Sequence, residues 1–207
     1  MKITRYFQSC LLIEEGKARI LIDPSGHDKQ TIDKLGELDA VFYTHEHPDH
    51  FDAEMAQTFV EQGIAPVYVN ASTAKLIKAS KTVVKDRQEV NINGVKIKVI
   101  ELPHCLMTNG NSGPQNTGYL INYKFFHPGD GVELAGLTVD NLALPIIGPD
   151  ISLKDAFAFA RQLSAKNAIP IHYDFLGLKP EVAESFAVSN NMPFKLQVLK
   201  HSQSTEF

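Results

Sequence analysis

Cysteine is nearly absent: the 207-residue chain has only Cys10 and Cys105. Two cysteines so far apart form no disulfide framework, and they offer no thiolate pair for a closed structural zinc site. Long hydrophobic runs are missing too. Nowhere do roughly 18 apolar residues follow one another, so nothing reads as a bilayer span. The opening MKITRYFQSCLLIEEG places charge at Lys2, Arg5, Glu14 and Glu15 and lacks an apolar h-region or small-residue cleavage site. A cytoplasmic protein with reduced thiols is the expectation. Basic excess is lacking as well: 20 Lys and Arg face 24 Asp and Glu, for a net charge of −4. That removes the electrostatic case for a nucleic-acid partner, and Lys75, Lys78, Lys81, Lys85 and Arg87 read as a solvated face.

Repeats, long linkers and low-complexity stretches are likewise missing, so residues 1–207 are expected to form one mixed α/β domain with two sheets and outer helices. Residues 9–13 and 18–22 read as a hairpin entering a loop at Asp23-Pro24. A buried strand over 39–44 opens directly into His45-Glu46-His47-Pro48-Asp49-His50. Asp52 is placed to cap a helix reaching about residue 61, closed by Gly63. Residues 66–69 predict a strand, and Ser72 predicts the cap of a helix over 72–81. Residues 83–101 hold β segments around the Asn93-Gly94 hairpin signal, followed by strands at 118–121, 124–126 and 141–144. Ser152 and Asp155 resemble a capping box for a helix with an apolar stripe at Leu153, Ala156, Phe157, Ala160 and Leu163. A strand at 168–171, a helix from Pro180 and a strand at 194–199 complete the pattern.

Of eight histidines, three fall within six residues beside a carboxylate: His45, His47, Asp49 and His50. Residues two apart in extended chain point the same way, so His45 and His47 can grip one ion together. Asp49 and His50 lie out of that phase and can turn toward a second. Imidazole and carboxylate suit zinc, with manganese or iron as alternatives. His104, Asp130 and His172 each follow a strand-like run in loop context, where further ligands would sit. A lone residue of this kind is as readily structural, and the bland alternative for the first motif is a surface histidine cluster or capping residues around Pro48. Ser72-Thr73-Ala74-Lys75 matches an SxxK pattern without its SDN or KTG partners, so helix capping explains Ser72 better.

Taken in order, LIDP with Asp23, THEHPDH, His104, PGD with Asp130 and PIHYD with His172 resemble the five motifs of the metallo-β-lactamase superfamily, over nearly the whole chain. The opening MKIT…SCLLIEEG…ILIDP and the late PIHY resemble its small branch of ascorbate-6-phosphate lactonase-like proteins. The resemblance implies a four-layer αβ/βα sandwich with the site at the edge between two sheets. It further implies that His45, His47 and His104 bind one divalent ion, that Asp49, His50 and His172 bind another, and that Asp130 bridges. Asp23 would hold the histidine face from behind. Relatives of this branch carry Gly-His-Ser where this chain has Phe7-Gln8-Ser9, and Gln8 can be neither acid, base nor strong ligand.

The expected activity is metal-dependent hydrolysis. A hydroxide shared by two divalent ions would attack an ester, lactone or phosphoester, with Asp49 or Asp130 relaying a proton. The net positive charge of such a centre favours a small anionic substrate. Two other readings stay open: a metal-holding protein that senses a ligand without turnover, and a mono-iron redox enzyme of the same fold. His47 stands where flavodiiron proteins carry Glu, which argues against oxygen reduction. The Asn- and Gly-rich segment 108–117 is expected at the pocket, while His127 and Cys105 read as structural. His27 and His201 are given no role.

Overall fold

The computed structural model describes residues 1–175 and 177–207. Its central strands, such as Ala40–Phe42, Thr117–Ile121 and Asn141–Pro145, are buried on both faces, which places them between two layers, whereas edge strands are exposed. The first six strands are β1 (Lys2–Arg5), β2 (Leu11–Glu15), β3 (Ala18–Ile22), β4 (Ala40–Phe42), β5 (Val67–Val69) and β6 (Thr82–Val83). The next seven are β7 (Glu89–Ile92), β8 (Val95–Glu101), β9 (Thr117–Ile121), β10 (Phe125–His127), β11 (Asn141–Pro145), β12 (Asn167–Ile171) and β13 (Lys195–Leu196). They form two seven-stranded sheets, because a last strand, β14 (Ser204–Glu206), returns to the first and pairs antiparallel with β1.

Both sheets share one plan. Neighbours run antiparallel from β14 to β3 and from β7 to β10, then parallel from β3 to β6 and from β10 to β13. Alternate residues of the strands face opposite layers. Ile20 and Ile22 meet the other sheet at Val99, Tyr119 and Ile169, whereas Leu21 joins Met55 and Phe59 beneath the helix α2 (Ala53–Glu61). On the far side Phe126, Leu142 and Leu144 pack under α3 (Leu153–Gln162) and α4 (Pro180–Ser189). The result is the expected helix–sheet–sheet–helix sandwich.

Helix ends follow local chemistry. The Asp52 carboxylate accepts from the Met55 amide at 2.8 Å, and Ser152 with Asp155 forms the reciprocal capping box. The helix expected over residues 72–81 does not form; only a 3₁₀ turn, Thr73–Leu76, is present. The Ser72 hydroxyl does not cap it but donates to Glu46, and Thr73 Oγ1 does the same at 3.1 Å. Asn70 Oδ1 takes the Thr73 amide instead, at 2.9 Å. The strand expected over 194–199 shrinks to β13, and part of the polar tail becomes β14. Among the described residues no helix is long and apolar enough to cross a membrane.

Candidate metal centre

Parallel strands leave their connecting loops at one end of each sheet, and ligands bind where such carboxyl ends meet. Asp23 follows β3, residues 44–50 follow β4, Asp130 follows β10 and His172 follows β12. The two sheets therefore deliver all the expected residues to one edge. Three non-glycine residues there sit in the left-handed region, Gln8 at φ 56°, Asp23 at 53° and His172 at 63°. Each costs about 1–3 kcal/mol and persists only because its surroundings fix it.

Asp23 is fully buried and organises the histidine segment. Its carboxylate accepts from the Thr44 amide at 2.7 Å, the Thr44 hydroxyl at 2.7 Å and His50 Nδ1 at 2.8 Å. With its proton committed to Asp23, Thr44 Oγ1 accepts from His45 Nδ1 at 3.0 Å. His104 Nδ1 donates to the Cys105 carbonyl at 2.7 Å, and His172 Nδ1 donates to the Ile147 carbonyl at 2.6 Å. Carbonyl and carboxylate oxygens only accept, so the hydrogen on these rings sits on Nδ1 and the lone pair on Nε2 points inward. His47 reverses the pattern and turns Nδ1 toward His45 Nε2, 3.2 Å away.

These lone pairs converge on Asp130. Its Oδ1 lies 3.1 Å from His50 Nε2, and its Oδ2 lies 3.0 Å from His172 Nε2, 3.5 Å from His104 Nε2 and 3.9 Å from His45 Nε2. Asp49 Oδ2 stands 3.1 Å from His172 Nε2 and 3.8 Å from His50 Nε2. Two groups result, His45, His47, His104 and Asp130 on one side and Asp49, His50 and His172 on the other. His50 Nε2, His104 Nε2 and Asp130 Oδ1 are buried without a hydrogen-bond partner among the described residues. Lone pairs held against anionic oxygen at such distances repel unless a cation lies between them, so the donor set fits divalent ions.

Protons compete for the same position. Burial alone would lower His172, but the Asp130 charge and the hydrogen bonds to Asp130 and Asp49 raise its pKa to about 10. His50 is likewise raised well above its ordinary value against burial, by Asp130 and Asp23. Burial opposes ionisation of Asp130, yet His172 and His50 hold its carboxyl well below the usual range. A raised histidine stabilises the fold fully below its unfolded pKa of about 6.5 and loses that contribution as pH rises through its folded value. The thermal midpoint of chelator-treated protein is therefore expected to fall between pH 6.5 and 10, and added zinc to restore most at the alkaline end. A metal-independent, flat midpoint across that range would contradict this account.

Behind the centre, packing fixes the loops. Gly129 has φ 61°, and a Cβ there would lie 2.2 Å from Asn116 Oδ1 and 2.8 Å from Thr44 Cβ. Gly113 lies against the back of the His104 ring, where a Cβ would sit 2.3 Å from Nδ1. The Asn116 amide donates to the Pro128 carbonyl at 2.8 Å and so braces the turn that carries Asp130. His127 is structural, as expected: its Nε2 donates to the Ser9 carbonyl at 2.8 Å and its Nδ1 accepts from the Gly129 amide at 3.2 Å. Burial raises the Cys105 thiol to about 12, which makes it an inert core residue. The 108–117 segment does not line the cleft over the centre; its Ser112–Asn116 stretch borders a separate groove behind His104.

Sequence reasoning missed a brace around Asp49. Gln8 Nε2 donates to Asp49 Oδ2 at 3.1 Å, while Gln8 Oε1 accepts from the Asp174 amide at 3.0 Å, so the side-chain amide has one orientation. Asp174 also accepts from the Gln8 amide and pairs with the buried Arg5 guanidinium, which lies 4.3 Å from the Tyr173 ring centroid. Spacing could not reveal this contact, because 166 residues separate Gln8 from Asp174. His201 binds Asp28 at 2.6 Å, and His27 packs on Phe7 and Phe175.

A family model described as a β-lactamase superfamily domain matches residues 2–172. The Mycobacterium tuberculosis protein Rv0786c is 29 % identical over 178 residues, 83 % of this chain and 84 % of that protein. A UPF0173 metal-dependent hydrolase of Alkaliphilus metalliredigens is 27 % identical over 213 residues, 90 % of this chain and 91 % of the relative. Among solved structures, the metallo-β-lactamase fold protein YhfI of Bacillus subtilis superimposes with a TM-score of 0.79 at 15 % identity, covering 100 % of this chain and 98 % of that one.

Proposed function

The chain belongs to the metallo-β-lactamase superfamily as a metal-dependent hydrolase, and from that premise we propose that it works with two divalent ions, zinc foremost, on an ester-type bond. The observation that carries this reading is the buried, unpartnered Nε2 atoms of His50 and His104 turned toward the Asp130 carboxylate, whose Oδ1 is likewise unpartnered among the described residues. When bound, such an ion pair supplies a hydroxide nucleophile near neutral pH and polarises the substrate oxygen. His45, His47 and His104 would hold one ion and Asp49, His50 and His172 the other, with Asp130 between the two groups. A one-ion redox centre would leave one of the two groups without a cation.

Asp130, almost fully buried, keeps the two groups in register. Asp49 faces the cleft, with its side chain 22 % exposed, and is the group placed to pass a proton to the departing oxygen. Gln8 holds that carboxylate through its amide, on the same Oδ2 that faces His172 and His50. The test is metal analysis paired with a screen of esters, lactones, thioesters and phosphodiesters. Two ions per chain with turnover that chelation abolishes is the expected result; one ion per chain, or turnover indifferent to chelator, would sink the proposal.

A further inference from the structure

The cleft over the centre encloses about 310 Å³, the small end of the range for small-molecule sites. Its floor is Gln8 with His47, Asp49, His104, Asp130 and His172, five of the expected metal ligands. Every other described residue that lines it is apolar: Pro48, Met107, Pro149 and Phe175. No Lys or Arg contributes to the described lining. The nearest guanidinium in the bracing network, that of Arg5, is buried and committed to Asp174. Phe175 is 48 % exposed yet held as a fixed wall, edge-on to Phe7 at 5.0 Å and to His27 at 4.6 Å between ring centroids.

Among the described lining residues there is no cation, so the positive charge open to a substrate would be that of the ions, and Asp49 and Asp130 would offset half of it. What remains serves the oxyanion that develops at the reacting carbon. A second anionic group on the substrate would have to shed its water against proline, methionine and phenylalanine without a counter-charge, which is strongly unfavourable. The same walls favour a short hydrocarbon, whose burial is worth roughly 0.8 kcal/mol per methylene.

We propose that the substrate is an uncharged ester or lactone with a short apolar acyl group, seated between Met107 and Phe175. This rests on the hydrolase reading above and departs from the anionic substrate that the ion charge alone suggested. In the reaction the acyl carbon gains the hydroxyl of water, the carbon–oxygen ester bond breaks, and the alcohol leaves with the remaining proton.

The test compares p-nitrophenyl butyrate with mono-p-nitrophenyl succinate, which differ by a carboxylate in place of a terminal methyl. Wild-type, zinc-loaded protein is expected to prefer the butyrate by at least about tenfold in kcat/KM. Met107→Lys should shrink that ratio by about tenfold by supplying the missing cation. Calorimetry with the matching ketones, in which CH₂ replaces the ester oxygen, reads the same preference without turnover. Equal turnover of the two esters overturns the substrate inference and leaves the hydrolase reading intact. No turnover of either ester, with selective binding of the neutral ketone, keeps the preference of the cleft for neutral ligands but overturns the ester as substrate. Neither turnover nor selective binding removes both.

Discussion

Asp130→Asn is expected to lower turnover by at least about a hundredfold and to reduce bound zinc below two ions per chain. The asparagine is isosteric, so the PGD turn, braced by Asn116 and by the Cys105 amide on the Asp130 carbonyl at 3.0 Å, should fold unchanged. What disappears is the negative charge that faces His50 at 3.1 Å and His172 at 3.0 Å. An amide NH₂ or neutral oxygen in its place cannot serve two cations at once. Zinc content by emission spectroscopy, beside kcat/KM on the best substrate of the screen, separates loss of an ion from loss of chemistry. Two ions and undiminished rate in this variant would show that Asp130 is not shared.

Asp23→Asn should be nearly as damaging although Asp23 is no expected ligand itself and acts through His50 Nδ1, 2.8 Å away. The single oxygen of the new amide would still take the Thr44 backbone hydrogen. Its NH₂ would then oppose the Thr44 hydroxyl and His50 Nδ1, both donors to Asp23. His50 can escape only by moving its hydrogen to Nε2, where it points into the metal centre. The expected consequence is a metal affinity about 10–100-fold weaker. Unfolding of chelator-treated protein should also be easier by about 1–3 kcal/mol, from buried donors left unpaired. Competition against a chromophoric chelator reads the first effect and urea denaturation the second. Wild-type zinc affinity with an unshifted urea midpoint would remove Asp23 from the account.

Much of the site is legible in the sequence because it is written locally. His45 to His50 sit in one turn at the end of β4, and the segments around Asp23, Asp130 and His172 each pair a strand with a ligand-bearing loop. The structure brings these residues to one edge, as the order of motifs implied. Gln8 stayed hidden because its partners are 41 and 166 residues away, and a glutamine carries no ligand chemistry of its own. The misread segment after Ser72 has a helix-like pattern, but its would-be capping hydroxyls are spent on Glu46. At Ile77 the backbone turns extended, with φ −107° and ψ 123°. Here tertiary contacts outweighed local propensity. The tail strand was invisible for a related reason: Ser204, Thr205 and Glu206 carry no hydrophobic pattern and become a strand only beside β1.

That last pairing also shapes how the protein comes into being. Thr4 and Ser204, hydrogen-bonded at 2.8 Å, are 200 residues apart, so the strand pair yields nothing until most of the chain's loop-closure entropy has been met. High contact order of this kind makes folding slow, and β1 keeps a bare edge until the final residues arrive. For the part of that interval before residues 130 and 172 are made, a growing chain already displays His45, His47, Asp49 and His50 without Asp130 or His172 to complete the second half of the grip. A half-grip binds by raw affinity, in which copper outranks zinc. Exposure to the wrong metal is therefore expected to be greatest during synthesis rather than in the folded protein.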